Sequence, residues 1–239
     1  MSEKRAVILA GGKGTRLRPY TVVLPKPLMP VGEYPILEVI IRQLAHFGFN
    51  RITLTVNHQA DLIRSFFGTG EKWNIKIDYS LEDKPLSTMG PLTLIPDLPD
   101  HFLVMNGDIL TDLDFGKFYT EHVNRKSLFS ISAARREQVN LYGVLEKNNA
   151  NNLTGFFEKP KHSFLVSMGI YMLNKETLNS IPVNQSFGFD HLMLKFLETK
   201  KDVYVEEFNG YWLDIGRPDD YMQAIEEFES MKNVFMHEK

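Results

Sequence analysis

An apolar run of strand character, Ala6-Val7-Ile8-Leu9-Ala10, passes directly into Gly11-Gly12-Lys13-Gly14-Thr15-Arg16-Leu17-Arg18-Pro19. Pro25-Lys26-Pro27-Leu28 follows, and no Asp or Glu occurs between Ala6 and Gly32. A buried strand that opens into a glycine-rich, cation-bearing loop restricts the chain to a few architectures. Glycine lets backbone N–H groups come close to phosphate oxygens, and the nearby Lys and Arg supply the matching charge. This loop is therefore the leading candidate for a triphosphate site. Two familiar phosphate motifs do not fit it. The P-loop requires Ser or Thr after its Lys, and Gly14 follows Lys13. The dinucleotide fingerprint requires a third glycine where Leu17 stands, and an acid near the end of the next strand, where Asn57 stands.

Hydrophobic periodicity carries the pattern onward. Apolar positions at helical spacing follow Pro35 (Ile36, Leu37, Ile40, Ile41, Leu44). Strands are expected at Ile52–Val56, Ile75–Ser80 and Phe102–Met105, and helices at Ala60–Phe67 and Phe115–Asn124. This β-α-β-α order implies an α/β fold: a Rossmann-like, mostly parallel mixed sheet with helices on both faces. Ligands of such sheets gather at the carboxyl ends of the strands, where the glycine loop, Glu82 and Asp108 would converge. The second half is richer in strands: Phe129–Ala134, Tyr142–Glu146, Leu153–Phe157, Phe164–Leu173 and Val203–Phe208. Helices are expected at Phe189–Glu198 and Pro218–Met231. One domain is expected over 1–239, with a nucleotide-binding half at about 1–115 and a second half at about 116–239.

Composition closes off several function classes. The chain has 239 residues, 43% of them hydrophobic, enough for one large core, and no apolar stretch approaches a membrane span. The absence of cysteine removes disulfides and thiolate metal sites. The seven His show no H-x-x-x-H pair, which argues against a zinc site, and there is no G-x-S-x-G elbow. A net charge of −3 with cations gathered on one loop suits a small anionic ligand rather than nucleic acid. The first residues carry no secretory h-region, so the expected location is the cytoplasm, away from membranes.

Four further segments place polar groups beside apolar ones: Asn106-Gly107-Asp108, Phe157-Glu158-Lys159-Pro160, Trp212-Leu213-Asp214-Ile215-Gly216, and Glu82-Asp83-Lys84-Pro85-Leu86 leading into Ser87-Thr88-Met89-Gly90. Singly, each has an ordinary explanation: a turn cap, a solvated ion pair, an N-cap before the last helix. In this order they resemble the sugar-1-phosphate nucleotidyltransferases, from about Arg5 to Phe228, and are most similar to the mannose-1-phosphate and heptose-1-phosphate guanylyltransferase branches.

The resemblance implies a set of roles. Leu9, Gly11, Gly12, Gly14 and Thr15 would line the nucleotide site with Ser87 and Thr88. Arg16 would hold the β/γ-phosphates, and Lys26 the α-phosphate region. Asp108 and Asp214 would hold Mg²⁺. Lys159 would bind the phosphate of the sugar 1-phosphate, with Glu158, the Gly143 backbone and Ser167 around the sugar. Glu82 would meet the edge of the base. A carboxylate only accepts hydrogen bonds, and guanine offers two adjacent donors, so GTP is favoured. UTP, dTTP or CTP use within the family, a cytidylyltransferase acting on a non-sugar phosphate, and a non-catalytic nucleotide-sugar sensor are the alternatives. Pairing of two copies into a homodimer is left open. The chain departs from the family where Pro-Leu-Gly-Thr-Ala-Gly is usual: Ser87 replaces the Gly and Met89 the Ala. Ser167 stands where an Asn is common before x-Gly-Ile-Tyr. All three changes are expected in the ligand pocket.

Overall fold

Thirteen strands and five helices are described in the computed structural model, which covers residues 3–12, 14–57 and 59–237; Lys13 of the glycine loop lies outside the described residues. The strands are β1 (Arg5–Leu9), β2 (Pro30–Val31), β3 (Tyr34–Pro35), β4 (Arg51–Val56), β5 (Lys76–Leu81), β6 (His101–Asn106), β7 (Ile109–Thr111), β8 (Phe129–Val139), β9 (Val144–Lys147), β10 (Leu153–Phe157), β11 (Lys161–Asn174), β12 (Val203–Phe208) and β13 (Trp212–Asp214). The helices are α1 (Ile36–His46), α2 (Ala60–Phe67), α3 (Phe115–Arg125), α4 (Phe189–Glu198) and α5 (Pro218–Met236).

The central sheet has seven strands in the order β12-β8-β11-β6-β1-β4-β5. Only β11 runs against its neighbours; every other pairing is parallel. The mostly parallel mixed sheet expected from the sequence is therefore present. From β1 the chain moves outward on one side to β4 and β5, then returns to place β6 on the other side of β1. This reversal of strand order opens a crevice at the carboxyl ends. Those ends are Leu9, Val56, Leu81 and Asn106.

Alternation along the strands divides the core into two layers. Ala6, Ile8, Leu103, Met105, Ile170 and Met172 face α1, α2, α3 and α5. Val7, Phe102, Val104, Tyr171 and Leu173 face the opposite layer, built from α4 and the turn Gly90–Leu94. Helices cover both faces, but unequally. β7 and β13, each three residues long, pair antiparallel, with Asp214 opposite Ile109. No helix among the described residues is long and apolar enough to cross a membrane.

Candidate active site

A cleft of about 590 Å³ opens at the carboxyl ends of β1, β4, β5 and β6. Each strand delivers residues to it: Leu9, Gly11 and Gly12 after β1, Thr55 and Asn57 at the end of β4, Glu82 after β5, Asn106 and Asp108 at the end of β6. Arg16, Ser87 and Thr88 complete the wall. The loop after β1 is tied down where it leaves the sheet. The Ala10 amide donates to the Thr55 carbonyl at 3.0 Å, and the Asn57 side-chain amide donates to the Gly11 carbonyl. A Cβ on Gly11 would lie 2.8 Å from Glu82 Oε1, so a larger residue here would push the Glu82 carboxylate aside. Gly14 has φ of +60°, and its carbonyl accepts from the Thr21 hydroxyl at 2.6 Å. Arg16 is exposed in the 3₁₀ turn Thr15–Leu17, anchored by the buried Leu17.

Glu82 bridges two walls of the cleft. Its amide extends the β4–β5 pairing by donating to the Val56 carbonyl at 2.9 Å, while Oε2 accepts from the Leu86 amide at 3.3 Å. Partial burial raises its carboxyl above the usual range, and the Leu86 amide and Thr55 hydroxyl pull it back only in part. The Pro85–Thr88 wall is fastened to the start of α4: the Thr88 hydroxyl accepts from the Phe189 amide at 2.8 Å, and the Phe187 amide donates to the Leu86 carbonyl at 3.0 Å. Ser87 lines the cleft with φ of +64°, a conformation that suits the glycine of the family pattern better.

The two aspartates are brought together by the short β7–β13 pairing. The Ile215 amide donates to the Asp108 carbonyl at 3.0 Å, which fixes the backbone on both sides of the pair. Burial, and then the Asp108 charge, raise the Asp214 carboxyl above its ordinary range, with Lys26 and Arg16 acting against this. The Lys26 ammonium forms an ion pair with Asp108 Oδ2. Asp108 Oδ1 is buried without a hydrogen-bond partner among the described residues. Trp212 lies two residues before Asp214 on β13, so the two side chains share a face. Its indole donates to the Met168 carbonyl at 3.1 Å, and the Arg136 guanidinium covers its ring at 4.7 Å.

The remaining candidates from the sequence lie away from this cleft. Gly143, Glu158 and Lys159 are exposed at the β9–β10 hairpin, and Lys159 has φ of +44°. Gly143 and Glu158 are close, since a Cβ on Gly143 would stand 3.2 Å from Glu158 Oε2. Ser167 sits at an irregularity of β11, where its hydroxyl donates to Tyr171 Oη at 3.1 Å and accepts from the Gly169 amide at 3.2 Å. Burial pushes the Tyr171 phenol up to about 12, and the Asp214 charge adds to this.

One expectation needs correcting. Met89 is not in the pocket: it is fully buried in the α4-side core, because its amide donates to the Phe187 carbonyl and the following turn carries the side chain beneath the wall. Thr55, Asn57 and Asn106 line the cleft without being site candidates from the sequence. Their signal was positional: each lies at or just after the end of a buried strand beside the glycine loop.

A divalent cation fits this donor set. Asp108 and Asp214 offer hard carboxylate oxygens, one of them buried and without a partner. No group of three or more His, Cys, Asp or Glu able to hold a metal occurs among the described residues. Two carboxylates completed by ligand phosphates is the arrangement Mg²⁺ favours over an all-protein cage.

Comparison with known proteins bears on this geometry. Residues 5–231 match the family profile described as Nucleotidyl transferase. A mannose-1-phosphate guanyltransferase of Schizosaccharomyces pombe is 33% identical over 227 residues, covering 91% of this chain and 62% of that protein. A UTP–glucose-1-phosphate uridylyltransferase of Synechocystis sp. is also 33% identical, over 241 residues, covering 92% of this chain and 62% of that protein. The chain thus spans less than two thirds of the length of these relatives. Among solved structures, HddC from Yersinia pseudotuberculosis is 30% identical with a TM-score of 0.73, covering 94% of this chain and 99% of that one. A second HddC structure, complexed with GMP-PN, has a TM-score of 0.71.

Proposed function

The chain belongs to the nucleotidyl transferase family, and from that premise we propose that it transfers a nucleotidyl group from a nucleoside triphosphate to a sugar 1-phosphate, releasing pyrophosphate. The observation that carries this reading is the convergence of the glycine loop, Arg16, Lys26 and the two aspartates at one end of the parallel sheet.

The reaction joins two anions. The acceptor phosphate attacks the α-phosphorus in line, the bond to the β-phosphate oxygen breaks, and pyrophosphate departs with the electron pair. A phosphate monoester is already an anionic nucleophile near neutral pH, so no protein base is needed. The chain's task is positioning and charge neutralisation. The half of about 1–115 takes the nucleotide, with base and ribose along Leu9, Gly11, Gly12, Ser87 and Thr88. Gly14 and Thr15 bring backbone donors toward the phosphates. Arg16 holds the β/γ-phosphates and the departing pyrophosphate, and Lys26 the α-phosphate. The half of about 116–239 takes the acceptor, with Lys159 on its phosphate and Glu158, Gly143 and Ser167 around the sugar. Asp108 and Asp214 hold Mg²⁺, whose charge stabilises the reacting phosphate oxygens when it is bound.

Glu82 supports guanine as the base. It sits in the cleft with acceptor-only chemistry, and the HddC complex contains GMP-PN. The uridylyltransferase relative favours a second reading in which the base is uracil. Both are tested by measuring pyrophosphate release with each common triphosphate against mannose, glucose and heptose 1-phosphates, in Mg²⁺ and after chelation. GTP is expected to lead, and Glu82→Gln is expected to lower GTP efficiency at least ~10-fold while relaxing discrimination. Preference for UTP in the unmodified protein would replace guanine with uracil. No pyrophosphate release in any combination would sink the transferase reading.

A further inference from the structure

Lys26 has two assignments that compete for one ammonium. Its ammonium is paired with Asp108 Oδ2, and its side chain is only 11% exposed. The backbone that presents it is restrained: Lys26 stands between Pro25 and Pro27, Pro27 is buried, the Leu28 amide donates to the Pro25 carbonyl at 2.8 Å, and the Met29 amide donates to the Lys26 carbonyl at 3.0 Å. The ammonium must therefore move by side-chain rotation alone. While it rests on Asp108, it commits its charge and part of its donor capacity there, in competition with a phosphate for the ammonium and with a metal for Oδ2. A divalent cation placed on Asp108 beside the ammonium would bring three positive charges within a few ångströms in a partly buried site.

The pairing also answers a charge problem. Without a cation, Asp108 and Asp214 would face one another as two carboxylates, with Asp108 Oδ1 already lacking a partner. The Lys26 ammonium neutralises one of them.

We propose that Lys26 is a place-holder for the divalent cation: it occupies Asp108 in the ligand-free protein and gives up that carboxylate when the triphosphate arrives, so that the metal enters with the nucleotide rather than before it. This rests on the transfer reading above. The chain of events is electrostatic. The α-phosphate would draw the ammonium away and free Asp108, which with Asp214 would then be available to hold the divalent cation that arrives with the nucleotide. The metal alone has to compete with Lys26.

The test is a titration of the full chain with Mn²⁺ alone, a spectroscopically visible ion that shares the preference of Mg²⁺ for oxygen ligands, followed by electron paramagnetic resonance. Weak binding is expected for the unmodified protein, and Lys26→Met is expected to bind Mn²⁺ at least tenfold more tightly. Lys26→Gln should show the same gain, and it stands in if Lys26→Met does not fold. Lys84→Met removes the same charge from the exposed rim of the cleft and should raise affinity far less. Asp108→Asn added to Lys26→Met should abolish the gain. Equal Mn²⁺ affinity in the Lys26 variants and the unmodified protein would overturn the proposal, as would a Lys84→Met gain as large as that of Lys26→Met. These readouts need no turnover, so they stand apart from a failure of the transfer assay itself.

Discussion

Arg16 and Lys159 are both exposed cations, yet their settings differ. Arg16 lines the cleft and lies close to the aspartate pair, where its charge acts on Asp214. Lys159 projects from the β10 end of an exposed hairpin, beyond that cleft. If Arg16 holds the departing pyrophosphate, its contact strengthens as the transition state forms. Arg16→Ala should then lower kcat by at least ~100-fold, and Arg16→Lys should recover only part, because a point charge does not replace the two-pronged guanidinium. Lys159→Ala should act mainly on the acceptor, raising its KM severalfold with a smaller change in kcat. Steady-state kinetics with each substrate varied in turn separate the two; a Lys159→Ala effect confined to the nucleotide KM would reverse the subsites. The cations of the glycine loop, Arg16 and Lys26, were legible in the sequence, since the stretch from Ala6 to Gly32 has no acid to pair with them. The Lys26–Asp108 contact was not legible. Its partners are 82 positions apart, and only the fold decides that they meet.

Strands differed in how plainly they announced themselves. β1, β4 and β6 are buried on both faces; the apolar runs of β1 and β6, and the alternation of apolar residues with buried Thr53 and Thr55 in β4, gave their position to within a residue or so. β8 was expected to stop at Ala134 but continues to Val139. The added residues Arg135-Arg136-Glu137-Gln138 are exposed and polar, held by pairing with β11 rather than by burial. β7 and β13 were missed, because three residues cannot display a period and their pairing spans about a hundred positions; yet this pair sets the two aspartates side by side. The irregularity of β11 has a comparable role. Gly169 holds φ of +73° there, and a Cβ would lie 2.6 Å from the Asn106 side-chain nitrogen. Gly169→Ala combines left-handed strain of ~1–2 kcal/mol with displacement of a cleft residue. The expected result is a loss of about 2 kcal/mol or more in the urea unfolding free energy, with reduced turnover. An unchanged midpoint would mean that β11 relaxes without moving Asn106.

The site occupies the carboxyl end of the sheet, and the amino end is held by buried polar groups of a different kind. Arg5 is 1% exposed and donates to the Thr53 hydroxyl at 3.0 and 2.8 Å and to Asp97 Oδ1 at 3.0 Å. Nearby, His122 of α3 is also 1% exposed, with Nδ1 on the Ser130 hydroxyl at 2.7 Å and Nε2 without a partner among the described residues. Burial, and secondarily the adjacent His101, lower the His122 imidazole to about 4. The sign of the pH effect follows. The unfolded chain takes up a proton near pH 6.5, while the folded protein keeps His122 neutral until about pH 4. In that window the unfolded state binds more protons, so stability falls as pH falls, by at most ~1.4 kcal/mol per pH unit from this group. Below pH 4 both states carry the proton and the contribution levels off. Above pH 6.5 both are neutral and the group gives no slope. Other residues titrate in the same range, so the comparison is a difference between two proteins. Urea unfolding of the unmodified protein and of His122→Gln at pH 7.5, 6, 5 and 4.5 should show the substituted protein less stable at pH 7.5 but with a shallower decline toward acid. Parallel curves over that range would mean that His122 is protonated in the folded protein and that its burial is relieved by water or by movement of α3.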